Sequence, residues 1–238
     1  VDTSSGTPTI TLSTGGSGSS VNFTSGSGTT LLTFNYTVAS GHNSNDLAYS
    51  ASNSLALNSA TIKDSAGNDA TLTLPSPSEA ASLSFNKDIV IDTTSPTMTI
   101  TSSTSGVSDG STTKDATISL TFTSSEATTN FTDADITVIN GAISGFNPAS
   151  STTYTATFTP TTDGATTVDV AGNVFTDAVG NNNTAATQFN WTYDSTPPII
   201  SAIGTGAFSW GAVLNATEDN SNGTVSVTTS GAEDGQTV

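Results

Sequence analysis

The sequence predicts an all-β chain of tandem β-sandwich domains arranged end to end, and three observations carry that expectation. A short phrase occurs three times. Val1-Asp2-Thr3-Ser4-Ser5, Ile91-Asp92-Thr93-Thr94-Ser95-Pro96 and Tyr193-Asp194-Ser195-Thr196-Pro197 each pass from an apolar residue through Asp and hydroxyl residues into a new alternating segment. The intervals, about 90 and about 102 residues, are each the size of one sandwich. Apolar residues also alternate with polar ones at period two over strand-length runs, and no helix-period segment of convincing length interrupts them.

The repeats are placed at residues 1–92, 93–194 and 195–238, with roughly seven short strands in each complete one. In the first, Leu32, Phe34, Tyr36 and Val38 share one parity against Thr33, Asn35 and Thr37, the pattern of a strand with one wet face. In the second, Ile118, Leu120 and Phe122 alternate with Ser119, Thr121 and Thr123, and Tyr154, Ala156 and Phe158 with Thr155, Thr157 and Thr159. Its last strand aims Phe189, Trp191 and Tyr193 inward, the largest side chains of that core. Threonine suits the wet parity because its β-branch favours extended backbone while its hydroxyl stays hydrated. Clusters of Gly, Ser, Asn and Asp, such as 13–20 and 102–111, mark turns. Lys87 shares the parity of Phe85, Ile89 and Ile91, so a regular closing strand would aim an ammonium into the core. A bulge returning it to water, a salt bridge, or an isopeptide crosslink to Asn or Asp would each relieve that cost. The third repeat has about 44 residues after Asp194, too few for a sandwich, so the chain is expected to be a stretch of a longer polypeptide.

The linker Asp92 to Pro96, the turns Asp64-Ser65-Ala66-Gly67-Asn68 and Asp177-Ala178-Val179-Gly180-Asn181, and the Thr-rich strands resemble the bacterial immunoglobulin-like repeats of very large prokaryotic surface proteins. The resemblance covers both complete repeats. The segments Ser209-Trp210-Gly211, Glu218-Asp219-Asn220 and Glu233-Asp234-Gly235 look like a second subtype of the same class. It implies immunoglobulin-like sandwiches in an adhesin stalk, an extracellular filament or a surface layer, at the cell surface of a prokaryote.

Composition narrows the partners. With 3 Lys, no Arg and 20 Asp plus Glu, the net charge of −17 opposes nucleic acid and anionic membranes alike. Cysteine is absent, so there is neither a disulfide framework nor a thiol site. No stretch approaches the roughly 18 apolar residues of a membrane span, and any targeting signal is expected upstream.

Calcium at the junctions between repeats is the leading chemical expectation. In an immunoglobulin-like sandwich the loop before the last strand lies at the same end as the domain's own amino-terminal linker, so Asp177, Asn181 and Asn182 are expected to converge on Asp92. Repeat one offers Asp2, Asp64, Asn68 and Asp69 in the same way, and Asp194 serves the third repeat. Calcium takes six to eight oxygen ligands from such groups. The competing account is that Asp, Asn and Gly are there only to turn the chain.

Other chemistry finds little support. The one histidine, His42, sits in a polar loop, Gly41-His42-Asn43-Ser44-Asn45, and is expected to be solvated there. Zinc lacks a His or Cys cluster, a serine triad has no candidate beyond that imidazole, and no Gly-Lys phosphate loop exists. The adjacent acids Glu218-Asp219 and Glu233-Asp234 would point to opposite sides of a strand. Asn-x-Ser/Thr sequons begin at Asn22, Asn35, Asn130, Asn182, Asn190, Asn215 and Asn222. In a chain roughly one-third Ser and Thr about seven arise by chance, so they permit N-glycosylation without indicating it.

Two functions follow. The first is a non-enzymatic extender, self-associating or packed against neighbouring copies of the same chain. The second is an adhesive module that grips a glycan or protein receptor through interstrand loops. Binding surfaces favour exposed aromatics and Arg, whereas here only Phe131, Phe146, Phe208 and Trp210 find no place inside, which favours the extender.

Overall fold

The computed structural model describes residues 1–203 and 227–231. Phe208, Trp210 and the acidic pairs of the third repeat lie outside them. The described residues are nearly all β, with a single α-helical turn and one 3-10 turn. They fall into two compact units, one of Val1–Met98, Ser124–Phe131 and Ala171–Ala185, the other of Thr99–Thr123, Thr132–Val170 and Ala186–Val238.

In the first unit β1 (Thr9–Leu12), β2 (Ser19–Ser25), β3 (Thr33–Phe34) and β4 (Leu55–Ala56) form one sheet in the order β3-β2-β1-β4. β1 and β2 pair antiparallel from Thr9↔Asn22 to Leu12↔Ser19. Gly18 closes that hairpin at φ 78°, and a Cβ there would lie 2.6 Å from the Leu12 carbonyl oxygen, so only glycine fits. Leu12, Val21, Leu47 and Tyr49 form the buried core, with Phe34, Tyr36, Leu83, Ile89 and Ile91 packed partly against it. The strand expected over Leu32–Val38 shrinks to two residues, and Val38 is exposed. The chain turns immediately afterwards, where the His42 N–H donates to the Ala39 carbonyl.

The closing segment of repeat one departs further from the expected strand. Ser82 accepts a hydrogen bond from the Phe85 N–H and caps a helical turn, α1 (Leu83–Asn86), which ends as the Lys87 N–H donates to the Leu83 carbonyl. Over that turn the side-chain period is no longer two, so the shared parity of Phe85 and Lys87 loses its meaning. Both side chains are exposed. A helical turn rather than a bulge returns the ammonium to water.

The second unit holds two four-stranded sheets. One runs β5 (Met98–Ser102), β7 (Ile118–Ser124), β10 (Thr153–Pro160), β9 (Gly141–Pro148). The other runs β6 (Thr112–Thr113), β12 (Phe189–Tyr193), β11 (Gly164–Val170), β8 (Ile136–Ile139). The expected parity holds. Ile118, Leu120, Phe122, Tyr154, Ala156, Phe158, Phe189 and Trp191 are all buried, while Tyr193 is only half-buried. The two sheets meet where the Phe158 and Trp191 rings lie edge to face, 4.7 Å between centroids. β5 and β6 sit in different sheets, and β6 pairs parallel with β12. Phe131, expected outside, is buried in the first unit against Phe175, and Phe146 stacks half-buried on Tyr154.

β13 (Ile199–Ile203) and β14 (Val227–Ser230) form a two-stranded antiparallel ribbon on which Ile199, Ile200 and Val227 are exposed.

Candidate metal centre

All three linker aspartates make the same local turn. The side chains of Asp2, Asp92 and Asp194 accept the N–H groups of Ser4, Thr94 and Thr196, two residues on, at 2.9, 2.9 and 3.0 Å. The two Asp-x-x-Gly-Asn turns are also alike. Asp64 Oδ1 accepts from the N–H groups of Ala66 and Asn68, and its Oδ2 from the Asn68 amide. Asp177 Oδ1 accepts from Val179, Gly180 and Asn181, and its Oδ2 from the Asn181 amide. Each of these aspartates therefore closes a turn of its own chain.

What separates them is their surroundings. Asn181 Nδ2 also donates to the Asp92 carbonyl at 3.2 Å, tying the loop ahead of β12 to the segment ahead of β5. A residue that carried no sequence signal joins them. The Thr97 carbonyl accepts from the Ser125 N–H, and the Thr97 N–H donates to Ser125 Oγ, which brings Glu126 beside Asp92. One carboxylate oxygen each from Asp92, Glu126 and Asp177 lies within 4.8 Å of the others, the first two half-buried and Asp177 buried. Among the described residues this is the one group of three or more acidic or imidazole ligands so gathered. Asn182 is exposed and bridges Thr176. Its neighbour Asn183 is the buried one, accepting from the N–H groups of Val174 and Phe175 and donating to the carbonyls of Ala171 and Thr184. In repeat one Asp69 pairs with Lys63, and Asp64 and Asn68 close their own turn.

The electrostatics of the triple follow from its geometry. At about 4.8 Å each pair of carboxylates repels by about 1 kcal/mol even in a water-like dielectric, and the one ion pair among the described residues, Lys63–Asp69, lies elsewhere. Burial raises the Glu126 carboxyl above its usual value, repulsion from Asp92 and then Asp177 adds to this, and a hydrogen bond to Asp177 holds the proton. Burial also pushes Asp177 up, but the Asn181 side chain and the N–H groups of Asn181, Gly180 and Val179 together outweigh it and hold that carboxyl low.

The two acids therefore have opposite pH signatures. Glu126, raised in the fold, contributes stability below the usual glutamate range and loses it as pH rises through its folded value. Asp177, lowered in the fold, contributes above the usual aspartate range and loses it as pH falls. Without divalent cation, Glu126→Gln should raise stability by about 1 kcal/mol at pH 7 and change it little at pH 4. Urea unfolding at the two pH values measures the difference. Equal effects at both would mean that repulsion at Glu126 is negligible.

The structure also tests the other candidates. His42 is not simply solvated. Its ring stacks on Tyr36, and its Nδ1 accepts from the Ala39 N–H at 3.1 Å and contacts the Tyr36 hydroxyl at 2.8 Å. A backbone N–H can only donate, so Nε2 carries the hydrogen and donates to Ser19 Oγ at 3.1 Å. That tautomer cannot take a proton from Ser19, so the pair is no nucleophile and base. The same loop clasps the linker: Gly41 N–H donates to Thr93 Oγ1, Thr93 N–H to Asn43 Oδ1, and Thr93 Oγ1 to the His42 carbonyl. At the next linker Asp163, which sequence reasoning passed over, accepts from the Ser195 N–H and hydroxyl and the Thr196 hydroxyl. Thr196 first and then Ser195 hold its carboxyl low.

Three carboxylates from the linker and two loops, with the Asp92 Oδ1 and Asp177 Oδ1 oxygens engaged by N–H groups, leave further lone pairs for a hard cation. Among the described residues no helix is long and apolar enough to cross a membrane. No curated protein and no solved structure matches the chain. Residues 92–193 match a family model described as Bacterial Ig-like domain, a non-catalytic family whose members are commonly surface-exposed. The residues similar to a bacterial Ig-like domain thus include Asp92, Glu126 and Asp177 and the strands β5 to β12.

Proposed function

We propose that the chain is a non-enzymatic structural segment of a prokaryotic surface assembly, a stalk, filament or surface layer, whose linker is stiffened by calcium held by Asp92, Glu126 and Asp177. The observation that carries the reading is the position of Asp92. It is a linker residue, and the other two carboxylates reach it from loops more than 30 residues away in sequence, so a shared ion fastens the linker to both loops. Calcium suits the set better than magnesium because it accepts irregular shells of six to eight oxygens, completed here by water, whereas magnesium demands near-ideal octahedral geometry. Pairing with neighbouring copies belongs to the same proposal, and the exposed Ile199, Ile200 and Val227 of the β13–β14 ribbon support it.

The test is thermal unfolding and small-angle scattering of the chain in calcium and in chelator. At one hundred times Kd a ligand bound only by the folded state adds about 2.7 kcal/mol, which at 150–250 residues corresponds to a rise of about 5–10 °C in Tm. Glu126→Gln should abolish that rise while leaving the calcium-free protein at least as stable. Asp177→Ala is a poor probe by itself, because it also removes four hydrogen bonds of its turn. Identical melting and maximum dimension with and without calcium would remove the ion from the account.

A further inference from the structure

We propose that the outward face of β2, together with the segment just after β3, carries a binding site for a neutral saccharide. Alternation along β2 turns Ser20, Asn22 and Thr24 to the side away from Val21, and Asn35 and Thr37, in the segment that follows β3, lie beside them. With Ser19 and the Tyr36–His42 pair these residues line a recess of about 490 Å³, within the usual range for small-ligand sites. The location differs from interstrand loops at a domain end. It is the face of β2 beside the segment from Asn35 to His42.

The lining selects the ligand. Among the described residues the side chains of Ser20, Asn22, Asn35 and Thr37 make no hydrogen bond to protein, so two amides and two hydroxyls, each able to donate and accept, converge unengaged on one cavity. Adjacent hydroxyls of a sugar present the complementary donors and acceptors at similar spacing. No lining residue is charged. The net charge of −17 further disfavours carboxylated or phosphorylated ligands. Tyr36 and His42 are the aromatic members of the lining, stacked at 5.7 Å and 18°. The imidazole is held by Ala39 and Ser19, so its place in the lining is fixed. Thr24 acts differently, since its hydroxyl receives the Asn35 N–H and sets the spacing of the two strands.

This site does not depend on the calcium reading. Isotope-labelled chain titrated with glucose, galactose, mannose, N-acetylglucosamine and their disaccharides should show saturable shifts of the Asn22 and Asn35 side-chain amides, with Kd on the order of millimolar for a monosaccharide. Asn22→Ala and Asn35→Ala, both at exposed positions, should each weaken binding about tenfold or more while leaving the backbone spectrum intact. Chelator should leave the affinity unchanged, which separates a failure here from a failure of the calcium proposal. Absence of saturable shifts across the panel, affinity unaltered in both variants, or preference for a sialic or uronic acid would each overturn the site. So would a native protein whose intact mass shows glycan attached at Asn22 or Asn35, since both head Asn-x-Thr sequons and the attached sugar would fill the recess.

Discussion

Trp191→Ala should cost about 3–5 kcal/mol and take most of the stability of the sandwich with it. Trp191 is 2 % exposed, lies edge to face on Phe158 and tilts against Phe189, so truncation opens a cavity where the two sheets meet. The indole is held by shape and not by its polar atom, because Nε1 is buried without a hydrogen-bond partner among the described residues. Trp191→Phe removes that uncompensated N–H along with part of the ring and should cost only about 1–2 kcal/mol. Urea midpoints, with hydrogen exchange of the β7, β10 and β12 amides to localise the loss, measure both. A Phe variant as damaged as the Ala variant would show that the indole nitrogen has a partner after all.

Asn183→Ala should cost about 2–4 kcal/mol, although it removes little volume. The side chain is 3 % exposed and spends all its capacity on backbone: two N–H groups donate to Oδ1 at 2.8 and 3.0 Å, and Nδ2 donates to two carbonyls at 2.8 Å each. Alanine leaves four backbone groups unpaired in a partly buried loop, where each one costs free energy. Asn183→Asp should be no better, because it keeps the acceptor and replaces the donor with charge facing the Ala171 and Thr184 carbonyls. Exposed Asn182 serves as the control and should tolerate alanine within about 0.5 kcal/mol. Thermal unfolding of the three variants decides the matter. Equal losses at 182 and 183 would refute the assignment. On the calcium proposal Asn183→Ala should also weaken the response to calcium, since the same loop carries Asp177.

The strands of repeat two were legible because alternation is a property of neighbouring residues. Once Ile118, Leu120 and Phe122 occur at period two, an extended backbone puts them on one face whatever else the chain does, and burial makes that face the core. The linker turns were legible for the same reason, an Asp side chain reaching the N–H two residues on in each phrase. Repeat one was less so. Its alternating runs are short, and Ser82 offered a helix cap just ahead of the expected closing strand, so a local hydrogen bond overrode the parity of Lys87.

The candidate site divides along the same line. Sequence by itself determined the all-β class, the buried faces of repeat two and the scarcity of cations to offset the acids, while the approach of Asp177 and Asn181 to Asp92 was expected from the immunoglobulin-like resemblance. Only the tertiary structure decided that Glu126 completes the group, since its place depends on the pairing of Ser125 with Thr97 across 28 residues. It also decided that Asn183 and not Asn182 is the buried amide, a choice between adjacent residues that one step of backbone rotation reverses. Periodicity is written into consecutive residues, whereas the meeting of three carboxylates is set by which strands pair and where their ends fall, and no short-range pattern records that.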